Sequence, residues 1–290
     1  MWADVPLTDA VAEAVRVAFE VDTDAEPERL HGGEESASYR VGEHVVRLSP
    51  TWRDDAELEW CYAVATLASG WVSEAIAPLR TDEGRCVVRV GDRPVTVWPY
   101  ADGAWADDED DAHAARLLAR LHKALRPLRV APRPVDSSPL EATPDLVDAD
   151  LDAHIAELLE RYTGRQPLHG DFYRGNVLVA NGRITGLVDW DNAFVGPPEL
   201  ELAWASWEWS DARDALDPGK CSSFVSAYRA AGGPAAAVDE QTIAIVVRSR
   251  LRWEIAYGRA MRERGAEVDT RYETESVDAF FALKRFTSPR

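Results

Sequence analysis

The chain has 290 residues, 32 Lys+Arg against 51 Asp+Glu, and a formal net charge of −19. Its hydrophobic fraction of 46% and charged fraction of 29% belong to a globular protein with a sizeable core and exclude a disordered chain. So negative a chain excludes a nucleic-acid backbone or an anionic membrane surface as its main partner.

The first 30 residues predict one amphipathic helix, capped by Thr8 or Asp9, with Val11, Val15, Ala18 and Phe19 on one face. Ser36–Val41 and His44–Leu48 predict a hairpin about Gly42-Glu43. Asp54–Ser69 reads as a helix, with Glu57, Cys61, Val64 and Leu67 at helical spacing. Three short strands are expected next, at Ala75–Leu79, Cys86–Val90 and Pro94–Trp98. The acidic run Asp107–Asp111 leads into a helix that carries Ala114, Leu117, Leu118, Leu121 and Leu125 on one side, where carboxylates complement the helix dipole. Five prolines between Pro127 and Pro144 mark an extended connection. A helix resumes over Asp150–Tyr162.

Pro167–Gly175 reads as a loop. Val177–Ala180 and Arg183–Val188 flank Asn181-Gly182, the strongest short hairpin signal. Four helices follow, at about 198–209, 219–231, 239–263 and 274–286. Cys61, Cys86 and Cys221 lie far apart in no metal-ligand spacing, so no disulfide framework or zinc site is implied. The N-terminus has no secretory pattern, and no apolar run approaches the ~18 residues of a membrane span. The chain reads as cytoplasmic.

One constellation carries chemistry. The segment His169-Gly170-Asp171-Phe172-Tyr173-Arg174-Gly175-Asn176 feeds the hairpin, and the hairpin delivers Asp189-Trp190-Asp191. Phosphoryl transfer needs an acceptor for the hydroxyl proton and counter-charge for the phosphates. Asp171 is placed to accept the proton. Asn176 and Asp189, brought together by the hairpin, supply the amide and carboxylate oxygens that suit Mg²⁺.

These residues resemble the catalytic and metal-binding loops of the aminoglycoside phosphotransferase family, small-molecule kinases akin to choline kinases, type II homoserine kinases and macrolide phosphotransferases. The resemblance implies an α+β, two-lobed, protein-kinase-like fold, with a β-rich nucleotide-binding lobe over 1–99 and a helical lobe over 100–290. It also implies ATP or GTP with Mg²⁺ as cofactors. His31-Gly32-Gly33-Glu34-Glu35-Ser36-Ala37-Ser38 resembles the family's nucleotide loop, which makes Gly33, Ser36 and Ser38 phosphate-side candidates. Arg47 occupies the place of the strand residue that pairs phosphates, and Arg keeps the charge in a bidentate fork. Glu57, or Glu59 if the helix phase differs, is its expected partner. Val97-Trp98-Pro99-Tyr100 resembles the inter-lobe hinge. Pro99 has no N–H, so the Tyr100 amide or the next one should meet the nucleobase, with Leu178 among the nucleotide contacts. Arg174 either neutralises a phosphate oxygen or pairs with a nearby acid. His169 holds the loop.

For the acceptor, Trp190, Trp204, Trp207 and Trp209 interleave with Glu199, Glu201, Glu208 and Asp211, and Trp253-Glu254 adds a further pair. Indole faces and carboxylates suit a cation. Asp191, Glu199, Trp204, Glu208 and Glu254 are therefore the candidate contacts, and a cationic antibiotic is the expected acceptor. Homoserine, choline, an amino sugar and a macrolide stand as alternatives, as does a kinase-like nucleotide-binding protein without turnover. Gly196 follows Asp189 by seven residues, too few for a peptide-docking loop, which disfavours a protein kinase. Monomer and dimer both remain open.

Overall fold

A computed structural model describes residues 5–30, 35–107, 110–134, 138, 140–210, 216–265 and 269–287. Helix α1 (Asp9–Phe19) starts where the Thr8 hydroxyl accepts the Val11 amide, and it buries Val11, Val15 and Phe19. Those side chains lie against a five-stranded antiparallel sheet. Its strands are β1 (Glu28–Leu30), β2 (Ala37–Val41), β3 (His44–Leu48), β4 (Val88–Val90) and β5 (Arg93–Pro99), in the order β1-β2-β3-β5-β4. The expected hairpin turns at Gly42, whose φ of +60° needs no Cβ. Its inward residues Ala37, Val41, Val46 and Leu48 join Val95, Val97 and the α1 stripe in a small apolar cluster.

Helix α2 (Asp55–Ser69) is capped by Asp54, whose carboxylate accepts the Ala56 and Glu57 amides. It buries Leu58, Cys61, Tyr62, Val64, Ala65 and Ala68 in a second, larger cluster that continues to Leu283. Thus α2 packs with the helical part of the chain, although it precedes residue 99. The expected strand at Ala75–Leu79 is not one. Pro78 removes a ladder donor, and the segment makes a single parallel bridge, Ala75 to Leu187. The amides of Ile76 and Leu79 donate to Leu187 and Val97, in two different sheets. The next expected strand shortens to β4 because the Cys86 and Val87 amides turn to the Glu59 carboxylate.

Short strand β6 (Ala104–Trp105) precedes α3 (Asp111–Leu125), whose apolar stripe is buried as expected. The proline-rich stretch is held from outside: Ala131 accepts the Trp60 indole at 2.7 Å, and the Glu141 amide donates to Ala256 at 3.0 Å. Helix α4 (Ala149–Arg161) follows. Part of the expected loop at Pro167–Gly175 is strand: β7 (Gln166–Leu168) pairs with β10 (Phe194–Gly196). The Asn-Gly hairpin forms as expected from β8 (Val177–Ala180) and β9 (Arg183–Leu187), and β6 joins its edge. The C-terminal part is α5 (Pro198–Glu208), α6 (Pro218–Ala230), α7 (Glu240–Glu263), α8 (Thr270–Ala282) and the single turn α9 (Lys284–Thr287). No described helix is long and apolar enough to cross a membrane.

Candidate active site

The loop after β7 is fixed from three sides. The Asp171 amide donates to His169 Nδ1 at 3.2 Å, so the proton sits on Nε2 and is donated to the Val188 carbonyl at 2.9 Å. Burial pushes the His169 pKa below its ordinary value, which keeps the ring neutral. Gly170 has φ +85°, and a Cβ there would fall 1.9 Å from the Asn192 carbonyl oxygen. Its amide donates to the buried Glu201 carboxylate, whose other oxygen meets His122 at 2.7 Å.

Asp171 is therefore held rigidly at the loop tip. Its Oδ2 accepts from Asn176 Nδ2 at 3.1 Å, and its Oδ1 from Arg250 Nη2 at 3.0 Å. Burial pushes its carboxyl up to about 7, Asp189 and Glu254 act in the same direction, and Arg250 and Asn176 oppose them. A carboxyl tuned to that range exchanges a proton readily near neutrality.

Asn176 ends a short 3-10 turn, Arg174–Asn176. Its amide nitrogen donates to both the Asp171 carbonyl and carboxylate, which turns its oxygen away as an acceptor. The Val188 amide donates to the Asn176 carbonyl at 2.9 Å, so the hairpin brings residue 176 beside Asp189. Asp189 has φ +61°. Arg47 meets its carboxylate at 3.2 Å and that of Asp191 at 3.0 Å. Burial opposes ionisation of Asp189, but Arg47, and behind it Arg53, hold its pKa below the ordinary value. An amide oxygen and an ionised carboxylate form a hard-oxygen donor pair. Such a pair fits Mg²⁺, which takes its remaining ligands from water and phosphate.

The partners of Arg47 differ from expectation. Glu57 faces Arg53, at 3.3 Å, and Arg133. Glu59 caps the strand amides already described. Arg53 sits one helical turn before Glu57 and reaches it first, so Arg47 is left to the Asp-Trp-Asp loop. Asp191 is 4% exposed. Its carboxylate accepts from Tyr62 at 3.0 Å and also meets Arg47 and Arg53. It braces Arg47 from inside and does not line an acceptor surface.

Among the expected nucleotide contacts, Gly33 lies outside the described residues. Ser36 is buried, and its hydroxyl has no partner among the described residues. Ser38 stands opposite Arg47 in the β2–β3 register. The Trp98 indole donates to Thr96 and meets Tyr62 edge-on at 5.0 Å, so this ring serves the core. The Tyr100 amide is committed to the Glu43 carbonyl at 2.9 Å, and the Tyr100 ring lies under the Arg40 guanidinium. Leu178 converges with Ala101 and Ile76 on Gly186, all three within 3.5 Å of where a Cβ would stand. The three side chains form an apolar spot next to Tyr100. Arg174 turns away from Asp171, donating to the Trp209 carbonyl at 2.7 Å and to Asp111 at 3.3 Å.

The expected Trp-acid cluster is largely core. Trp190, Trp204, Trp207 and Trp209 are buried, and Glu199 accepts the Ala236 amide at 2.8 Å. Glu208 is half-buried at the end of α5, and Asp211 lies outside the described residues. Glu254 is close to Asp171 through Arg250, which it meets at 2.8 Å. Arg250 was missed from sequence, and Glu201, read there only as one acid of the Trp-acid run, instead holds the Gly170 amide and His122. Arg250 precedes Glu254 by four residues on one helix face, but nothing local marks that face as pointing at residue 171.

The phosphotransferase enzyme family profile matches residues 26–239, well over half the chain. A homoserine kinase of Pseudomonas aeruginosa (strain UCBPP-PA14) is 30% identical over 169 residues, 52% of this chain and 53% of that protein. Protein StrN of Streptomyces griseus is 30% identical over 224 residues, covering 59% and 66%. Hygromycin-B 4-O-kinase of Escherichia coli is 43% identical over 47 residues, covering 15% and 14%. The chain thus spans about half the length of the homoserine kinase it matches. Among solved structures, amicoumacin kinase in complex with AMP-PNP, Ca²⁺ and Ami superposes with TM-score 0.68 at 13% identity, covering 96% and 93%. The microcompartment-associated aminopropanol kinase gives 0.64 at 18%, covering 97% and 95%. Both share the fold.

Proposed function

We propose, for a chain that belongs to the phosphotransferase enzyme family, that it transfers the γ-phosphoryl of ATP or GTP to a hydroxyl of a small molecule. The convergence of Asp171, Asn176, Asp189 and Arg47 carries this reading. The acceptor hydroxyl oxygen forms a bond to Pγ, the bond from Pγ to the bridging oxygen breaks, and nucleoside diphosphate leaves. The hydroxyl proton passes to an Asp171 oxygen and then to solvent. Asn176 fixes that carboxylate from the Oδ2 side. Asn176 and Asp189 would hold Mg²⁺, which supplies counter-charge to the phosphates when bound. Arg47 moves its guanidinium from Asp189 to phosphate oxygens as the nucleotide enters, while Asp191 keeps it in place. The apolar spot at Leu178 takes the nucleobase, and with the Tyr100 amide committed, Ala101 becomes the hinge donor.

A small acceptor is supported by β10. It pairs with β7 immediately after the Asp-Trp-Asp loop and leaves no long segment on which a peptide could dock. The homoserine kinase match covers half of the chain, and the hygromycin-B kinase match covers 47 residues. A metabolic hydroxyl compound therefore has broader support than an antibiotic. The test is nucleotide consumption against a panel of hydroxyl compounds. Asp171→Ala should lower transfer at least ~10³-fold while nucleotide still binds. Near-normal turnover in that variant would refute the proton-acceptor role.

A further inference from the structure

Arg250 is a cation in direct contact with Asp171 that neither nucleotide nor metal handling uses. It lies on α7, with Nη2 at 3.0 Å from Asp171 Oδ1 and Nε at 2.8 Å from Glu254 Oε1. A weaker contact runs from Nη1 to the Gly170 carbonyl at 3.4 Å. A guanidinium has five N–H donors. Three are engaged, and two have no partner among the described residues.

The group is also held flat and aimed. It lies over the Trp253 ring at 4.9 Å and the Trp204 ring at 5.4 Å, and Trp253 is backed by Tyr257 at 5.4 Å and 7° between planes. Glu254 is held in turn by the Tyr272 hydroxyl at 2.8 Å. The cluster is open on one side: the side chains of Arg250, Asp171 and Glu254 keep 22%, 18% and 15% exposure. An acceptor whose hydroxyl reaches Asp171 must therefore bring its neighbouring atoms against this guanidinium.

That geometry selects by charge. An ammonium on a carbon next to the reacting hydroxyl would set its own N–H donors against the outward N–H donors of Arg250, with no acceptor between them. A carboxylate there would take the two remaining donors in a bidentate pair, the geometry a planar guanidinium favours. We propose that Arg250 is a specificity residue that binds a carboxylate of the acceptor, so that the acceptor is a small hydroxy carboxylic acid, with or without an amino group. This rests on the phosphotransferase reading above and replaces the cationic acceptor expected from the Trp-acid cluster.

Matched acceptors on the unmodified protein provide the test. With nucleotide and Mg²⁺, L-homoserine is compared with 3-aminopropan-1-ol, and 4-hydroxybutyrate with propan-1-ol. Each pair differs by the carboxylate. The expected result is a kcat/KM at least ~100-fold higher for the acid in one pair or both. Arg250→Gln should then raise KM for that acid at least ~30-fold and reduce the preference within the pair to a few-fold, with Arg250→Lys intermediate. Equal turnover of acid and carboxylate-free partner would overturn the proposal. So would turnover of cationic acceptors alone, or Mg²⁺-nucleotide binding with no acid in the panel phosphorylated. An Arg250→Gln loss equal for every acceptor would reduce the residue to a structural support. Failure to bind Mg²⁺-nucleotide at all is the distinct result that would remove the phosphotransferase reading itself.

Discussion

Gly170 shows how little freedom the site leaves to single residues. Its amide, its φ of +85° and its contact with Asn192 are all used. Gly170→Ala places a methyl group inside the distance at which atoms touch, and it adds the strain of a left-handed backbone. We expect it to lower the thermal midpoint and abolish transfer, and a variant with normal activity would mean that the loop relaxes where the geometry forbids it. Arg47 is a different case, because its partners are the loop acids and not Glu57. Arg47→Ala leaves Asp189 and Asp191 facing each other without their shared cation. Nucleotide KM should rise ~10-fold or more, whereas Glu57→Gln should act mainly on stability, by removing the carboxylate that Arg53 and Arg133 share. A Glu57→Gln variant that loses nucleotide affinity as severely as Arg47→Ala would restore the expected pairing.

At the scale of elements, the helices around the site are fixed by buried charge. Asp148 caps α4 by accepting the Leu151 amide, and its second oxygen meets Arg248 of α7 at 2.7 Å and Lys284 at 2.9 Å. Arg248 is 1% exposed and also donates to the Phe280 carbonyl. One carboxylate thus joins α4, α7 and the α8–α9 junction. The Arg248 hydrogen bond is the largest cause holding the Asp148 pKa well below the carboxylate range, and it outweighs burial. A depressed folded-state pKa stabilises above the unfolded pKa of ~3.9 and loses that contribution as pH falls through the folded value. Asp148→Asn keeps the cap but removes the charge. It should cost about 1.5–3 kcal/mol at pH 7, by urea denaturation. The difference from the unmodified chain should persist down to about pH 4 and narrow below it. A difference already closing at pH 6 would point to another group.

For the whole molecule, what could be read from sequence is what local chemistry determines. The α1 stripe with its Thr8 cap and the Gly42 and Asn181-Gly182 turns each depend on neighbours within a few residues, and they formed as expected. Strands β1, β7 and β10 have three residues each, too few for a period to show. The Trp-acid run reads as a ligand surface because burial is set by tertiary packing and not by local order. Arg250 reaches Asp171 across 79 residues of chain, which no spacing rule reports. The candidate site has the same mixed character: its acids are local to one hairpin, and its cations arrive from β3 and α7. A ligand that engages the loop acids and Arg47 together must therefore couple the small apolar cluster to the large one. Ligand binding to the folded state alone stabilises by RT ln(1 + [L]/Kd), about 2.7 kcal/mol at 100 Kd. Mg²⁺ with the preferred nucleotide should raise the thermal midpoint by ~5 °C or more at that excess, and running ATP and GTP side by side identifies which is preferred. EDTA should remove most of the shift. Asp189→Ala should lose the same Mg²⁺-dependent part, while Asp171→Ala should keep it. A shift indifferent to EDTA and to Asp189 would separate nucleotide binding from the metal pair and leave Arg47 as the charged anchor.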